Sequence, residues 1–236
     1  MKDDRTWRGI VPWIYNKFTS FRKNRFSRFL VELSPREGEQ IIDLGGEPEF
    51  WKTVNSGYEL HCINLDKIEF NADEYQVNLR TSEGDCCELT EEEDDSYDLV
   101  FSNSVIEHVG DFERQKKFAD TALRLGQKLW VQTPAKCFPI EPHWFAFFIH
   151  WFPKKYQYFL FRWFALRHRL AGVRLTKSEV KAQVDDVRLM TKGELKKIFP
   201  GCNIITERFF FIPKSYIVFR RGKQLKNKNC SINRAK

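Results

Sequence analysis

The sequence predicts an α/β fold, a largely parallel sheet with helical connections that ends on one antiparallel strand. Three observations predict it. Short apolar runs stopped by glycines or acids alternate with segments of helical periodicity, capping signals mark where helices begin, and only a turn separates the last two apolar runs. The chain's 236 residues suffice for one catalytic-sized domain with a sizeable core.

Taken in order, the segment 13–33 spaces Phe18, Phe21, Phe26, Phe29, Leu30 and Leu33 at near-helical intervals. This predicts one or two amphipathic helices, so residues 1–36 read as an N-terminal helical cap. QIIDLGG, from Gln40, is an apolar run stopped by two glycines and reads as a buried strand ending in a tight turn. ELHCINLD, closing on Asp66, is a second strand, a third is expected near Tyr75 to Leu79, and YDLVFSNS from Tyr97 is a fourth. Helical periodicity from Asp111 to Leu125, with Asp111 in cap position, precedes a fifth strand, KLWVQTP, that ends at Pro134. Thr191 and Glu194 stand in capping-box spacing and predict a helix to Phe199. NIITERFFFI and SYIVFR form the final hairpin, with Pro213 and Lys214 as its expected turn. Residues 221–236 are basic, lack apolar periodicity and read as a flexible tail.

Composition excludes several classes. With 42% hydrophobic and 30% charged residues the chain is neither disordered nor membrane-embedded. No run approaches the roughly 20 apolar residues of a spanning helix. Six cysteines without CxxC spacing argue against a zinc ribbon or a secreted disulfide framework, and for reduced thiols in the cytoplasm. The net charge of +7 is unevenly distributed, with +6 on residues 1–36, −19 on 37–113 and +20 on 114–236. A basic total suits an anionic partner, but the acidic middle would repel a polyanion lying across it, which argues against nucleic acid.

In a doubly wound sheet the ligand sits at the carboxyl ends of the strands, where strand order reverses. Asp43, Gly45, Gly46, Asp66 and Asp85 fall at such ends. Glycines there let the backbone approach a ligand, and Asp66, 20 residues after Gly46, stands where an acid can accept both hydroxyls of a ribose. An adenosine moiety is the implied ligand. The GxGxxG turn that a pyrophosphate requires is missing, since DLGG runs on into Glu47, Pro48, Glu49, Phe50 and Trp51.

DLGG at 43–46, NLD at 64–66, GD at 84–85, YDLVFSNSVIEHV at 97–109 and WVQTP at 130–134 resemble, in order, the motifs of class I S-adenosylmethionine-dependent methyltransferases, particularly the type-11-like group. The likeness covers roughly residues 38–220. It implies a Rossmann-like, seven-stranded, mostly parallel sheet with an antiparallel last strand and helices on both faces, within a methyltransferase domain at 37–220. It also implies S-adenosyl-L-methionine as cofactor. Gly45 and Gly46 would then lie beside the methionine part, Asp66 on the ribose, Asp85 and the backbone around Cys86 at the adenine amine, and Asn103 and Ser104 on the floor near the sulfonium.

Methyl transfer is mostly a matter of positioning, with a base needed where the acceptor carries a proton to lose. Glu107 and His108 follow the fourth strand, with His108 the candidate base and Glu107 its orienter or a substrate anchor. A structural role for both, as brace and wall, is the alternative. SVIEHV also resembles the ExxEH of metal-dependent O-methyltransferases, but Ser104 stands at the first Glu position, and a hydroxyl is a poor substitute for a carboxylate ligand. No metal is therefore expected, although Glu107, His108 and His143 remain a partial set of donors.

Residues 135–190 form an insertion, and its segment from His143 to Phe164 holds 12 aromatic residues in 22. An apolar helical lid over the acceptor pocket is its expected role. Flanking basic residues also suit a peripheral membrane contact and a lipid- or sugar-linked acceptor, and a homodimer contact is a third use. The expected function is transfer of a methyl group to an O or N of a small-molecule acceptor in the cytoplasm. The rival reading is a non-catalytic binding protein that retains the fold.

Overall fold

The structure is a computed structural model that describes residues 25–223 apart from 53, 55, 56, 142, 143, 145 and 165–174. It divides into two units, Met1–Arg36 and Glu37–Lys236. In the first, residues 25–33 form helix α1, within which the Phe26 and Phe29 rings lie 5.5 Å apart. The remainder of the expected helical segment, residues 13–24, lies outside the described residues, as do residues 224–236 of the expected tail.

The second unit is built on a seven-stranded sheet. Its strands are β1 (Gln40–Leu44), β2 (Glu59–Asn64), β3 (Asn78–Glu83), β4 (Tyr97–Asn103), β5 (Gly126–Pro134), β8 (Asn203–Phe209) and β9 (Ile212–Arg220), in the order β3-β2-β1-β4-β5-β9-β8. Neighbours pair in parallel from β3 through to β5, whereas β9 pairs antiparallel with both β5 and β8. The run of apolar residues at Ile41, Ile42 and Leu44, each fully buried, is what a parallel strand covered on both faces requires.

Alternation along the strands sorts the two faces. Ile42, Leu44, Val100, Leu129, Val131 and Val218 join a core with helices α2 (Phe112–Leu125) and α5 (Lys192–Ile198). Asp111 caps α2 by accepting from the Arg114 N–H, and Thr191 and Glu194 form the expected capping box on α5. By contrast, among the described residues of the connections β1–β2 and β2–β3 the helical elements are short 3-10 turns, at Pro48–Trp51 and Ala72–Glu74.

Two sequence expectations shift. The third strand lies at Asn78–Glu83 rather than 75–79, because it is an edge strand paired only to β2 and its run NLRTSE holds a single apolar residue, Leu79. The hairpin turn falls at Phe210 and Phe211, not at Pro213 and Lys214. Pro213 pairs with Arg208 inside β9, a bulge at Glu207/Arg208 absorbs the irregularity, and Phe210 turns the chain with φ +52.

Between β5 and α5 the insertion adds a small antiparallel pair, β6 (Ile140–Glu141) with β7 (Ala146–Phe147), then helices α3 (Lys154–Phe164) and α4 (Lys177–Asp186). It has a core of its own, in which Trp144 and Phe161 meet edge-on at 5.1 Å beside Val184, Val187 and Leu189. Among the described residues no helix is long and apolar enough to cross a membrane.

Candidate active site

Strands β1 to β5 bring their carboxyl ends to one edge of the sheet. Strand order reverses between β1 and β4, since the chain winds outward from β1 to β2 and β3 and in the other direction from β4 to β5. A ligand crevice is expected at this point.

The DLGG turn is sterically specified there. Gly45 has φ +72, and a Cβ on it would stand 2.4 Å from a Val105 methyl. A Cβ on Gly46 would stand 2.0 Å from the Asp43 carboxylate. Neither position tolerates a side chain, and the backbone itself forms the wall.

Asp43 lies beneath this turn and is only 2% exposed. Its Oδ2 accepts the Trp51 indole N–H at 2.7 Å, whereas Oδ1 is buried with no partner. Burial pushes the carboxyl up to about 7, against the opposing effect of the Trp51 hydrogen bond. Trp51 is held by an edge-on contact with Phe101 at 5.1 Å, and Phe50 lies 5.3 Å from the same ring. A buried acceptor without a donor calls for a ligand that brings one. Asp43, Gly45 and Gly46 therefore fit a cofactor carrying a cationic or N–H donor.

Cys62 pairs in register with Asp43, and the Cys86 thiol meets the Gly45 backbone. Burial pushes the Cys86 thiol up to about 12 and that of Cys87 to about 11, so both stay protonated and neither is a nucleophile at neutral pH.

At the end of β3, Asp85 accepts the Cys87 N–H at 2.9 Å through Oδ1 and the Arg114 guanidinium at 2.6 Å through Oδ2. Partial burial raises its pKa, but the Arg114 and Cys87 hydrogen bonds outweigh that and hold it below the ordinary value. Arg114 also donates Nε–H to the Val109 carbonyl at 2.7 Å. Asp66 follows β2 by two residues and is exposed.

The β4 end is shaped by Ser104, which has φ +60. Its N–H donates to the Gln132 carbonyl at 3.0 Å and its hydroxyl to Gln132 Oε1 at 2.9 Å. This sharp turn after Asn103 swings Val105 against Gly45 and leads into Glu107 and His108. Glu107 is fully buried and accepts from the Thr133 hydroxyl at 2.9 Å, while its carbonyl accepts the Arg188 N–H at 2.8 Å. Neither of these two bonds runs to His108. The His108 ring instead meets Asp186, at the end of α4, with 2.7 Å between Nδ1 and Oδ2. His143 lies outside the described residues. Among the described residues no three His, Cys, Asp or Glu side chains converge as a metal-ligand group.

The structure thus brings Asp43, Gly45, Gly46 and Cys86 together and seats the Ser104–His108 loop against them, while Asp85 is turned to Arg114. Sequence reasoning missed Trp51, Arg114 and Asp186. Arg114 and Asp186 lie 29 and 78 residues from their partners, so no local spacing could have flagged them. The aromatic pair Phe50-Trp51 in place of the usual glycines was a visible signal for Trp51.

No protein-family model and no curated protein sequence matches the chain. Solved structures do match. A SAM-dependent methyltransferase from Archaeoglobus fulgidus aligns with a TM-score of 0.52 at 12% identity, over 85% of this chain and 92% of that one. A protein from Pyrococcus horikoshii OT3 aligns with a TM-score of 0.51 at 12% identity, over 87% and 91%. At such identities the likeness establishes architecture, and the chain has the class I methyltransferase fold.

Proposed function

We propose that this chain uses S-adenosyl-L-methionine to methylate an oxygen or nitrogen of a small-molecule acceptor. The observation that carries the reading is Asp43, a buried carboxylate with an unused acceptor, set under two obligatory glycines where strand order reverses. When bound, S-adenosyl-L-methionine supplies a methyl group on a sulfonium, which leaves by in-line displacement.

The chain's own residues divide the remaining work. Asp43 accepts from the cofactor's amino group, and the Gly45-Gly46 backbone lies along its methionine portion. Asp66 accepts the ribose hydroxyls, a charge-assisted pair suited to an exposed carboxylate beside the crevice. The backbone at Cys86 faces the adenine, with Asp85 held beside it by Arg114 and the Cys87 N–H, and Asn103 and Ser104 form the floor. Asp186 orients the His108 ring, and the imidazole takes the proton released by the acceptor's O–H or N–H as the new bond to carbon forms and the bond from carbon to sulfur breaks. Glu107, fixed by Thr133, shapes the wall behind that ring. Protonated thiols at Cys62, Cys86 and Cys87 suit a reducing compartment, and we place the reaction in the cytoplasm.

Isothermal titration of the full chain with S-adenosylhomocysteine tests the reading. Saturable one-to-one binding is expected, weakened about tenfold in Asp66→Ala by loss of charge-assisted hydrogen bonds. Folded protein that does not bind would overturn it.

A further inference from the structure

The described part of the sheet unit shows its aromatic side chains to solvent in two places only, residues 147–163 of the insertion and the β8–β9 turn. In the insertion, Trp151 and Phe152 are about half exposed, Phe159 is 69% exposed and Trp163 58%. In the turn, Phe210 is 78% exposed and Phe211 92%. The two places adjoin. Strand β8 is antiparallel to β9 and β9 to β5, so the turn emerges at the same edge of the sheet where β5 ends and the insertion begins. The Phe138 and Phe209 rings meet edge-on at 6.3 Å, and the Cys137 sulfur lies 3.4 Å from the Tyr216 hydroxyl, which joins the base of one to the other.

We propose that this aromatic rim is a docking face for a bilayer bearing anionic lipid, and that it sets the acceptor side of the crevice against the membrane surface. The docking itself does not rest on the methyl-transfer reading; only the orientation of the acceptor side does. Helix α3 buries Gln157 and Phe161 but turns Tyr156, Phe159 and Trp163 outward at helical spacing. Its 11 residues lie in an interface and do not span one. Aromatic residues mixed with lysine and arginine are the composition of such an interface, where ring bodies enter the headgroup region and cationic ends remain wet.

Charge points the same way. Lys136, Lys155 and Arg208 are exposed around the rings, and Glu141 and Glu207, the acids nearest them in sequence, are buried. The exposed acids of the insertion, Glu179, Asp185 and Asp186, belong to α4, where Asp185 is paired with Lys181 and Tyr158 and Asp186 with His108. The acidic stretch 37–113 builds β1 to β4, the opposite half of the strand order, so an anionic surface attracts the rim and repels the far side. A second copy docked on the same face would oppose its cations to their own kind, which disfavours a symmetric dimer.

The turn supplies a second, independent sign. A two-residue hairpin loop favours Asn-Gly, yet here Phe210 adopts φ +52 with its ring in solvent, a strained and apolar choice that folding alone does not reward.

Flotation of the full chain with vesicles is the test. Vesicles of phosphatidylcholine mixed with phosphatidylglycerol should carry the protein upward, those of phosphatidylcholine alone much less, and added salt should weaken the association. Replacing Phe210 and Phe211 together by serine should reduce the bound fraction about tenfold or more. Phe159→Ser with Trp163→Ser is the second variant, in case the first does not fold. Unchanged S-adenosylhomocysteine binding in both would separate docking from cofactor capture. Vesicle binding that is indifferent to both pairs of substitutions would overturn the proposal. So would no vesicle binding together with a dimer, seen in sedimentation velocity, that the same substitutions dissolve.

Discussion

Two sets of aromatic residues, one in each half of the sheet, serve opposite ends. On the β1–β4 side Trp51 and Phe101 are buried to the last few per cent and brace a single carboxylate, whereas on the β5–β9–β8 side Trp163 and Phe211 stand in water. Residue type alone does not decide which. What differs is the connection. A four-residue 3-10 turn folds Trp51 back onto its own strand within eight residues of Asp43, while the insertion runs long enough to form a core of its own and still have rings left over.

Substitutions on either side can break or sharpen this contrast, and their expected effects fall in a clear order. Trp51→Ala removes a fully buried ring and the donor to Asp43, and should cost about 3–5 kcal/mol in urea denaturation. Gly45→Ala forces a Cβ against Val105 at positive φ and should cost about 2–4 kcal/mol, with cofactor binding lost in the same protein. Asp186→Asn leaves the cofactor side untouched. It should slow turnover about 10–100-fold without changing S-adenosylhomocysteine affinity, measured by titration beside a methyl-transfer assay.

Asp43 gives a pH signature. Burial raises it from the ordinary 3.8 to about 7, so between those values the unfolded chain has released a proton that the folded chain still holds. Its contribution to stability is present in full below pH 3.8 and declines as pH rises through 7, and Asp43→Asn should flatten that slope in denaturation series. A ligand amino group requires the ionised form, so affinity should drop about tenfold one pH unit below 7. The smallest effect is expected on the outward side, where Phe211→Ser should change stability by less than about 0.5 kcal/mol.

Much of the architecture was legible because its signals are local. The apolar runs at Gln40 and Tyr97, the cap at Asp111 and the box at Thr191 each specify structure within a few residues. The misplaced third strand shows the converse. An edge strand with one neighbour needs little hydrophobicity, so its residues do not announce it. The turn at Phe210 was hidden by the stronger convention that proline marks a turn, and only pairing across β8 and β9 overrules it. In the candidate site, Asp43 and the glycines were visible as a strand-end motif. The partners of His108, Glu107 and Asp85 were not, because each comes from a segment that only the tertiary fold brings near.

Arg114 grips Asp85 with one nitrogen and the Val109 carbonyl with another. A single rigid, planar group thereby acts as a strut between the tip of the third strand and the loop that carries the imidazole. The spacing on that flank is fixed. On the proposed reading, differences in acceptor girth fall to the insertion to absorb, which makes that segment the place where a change of diet is written.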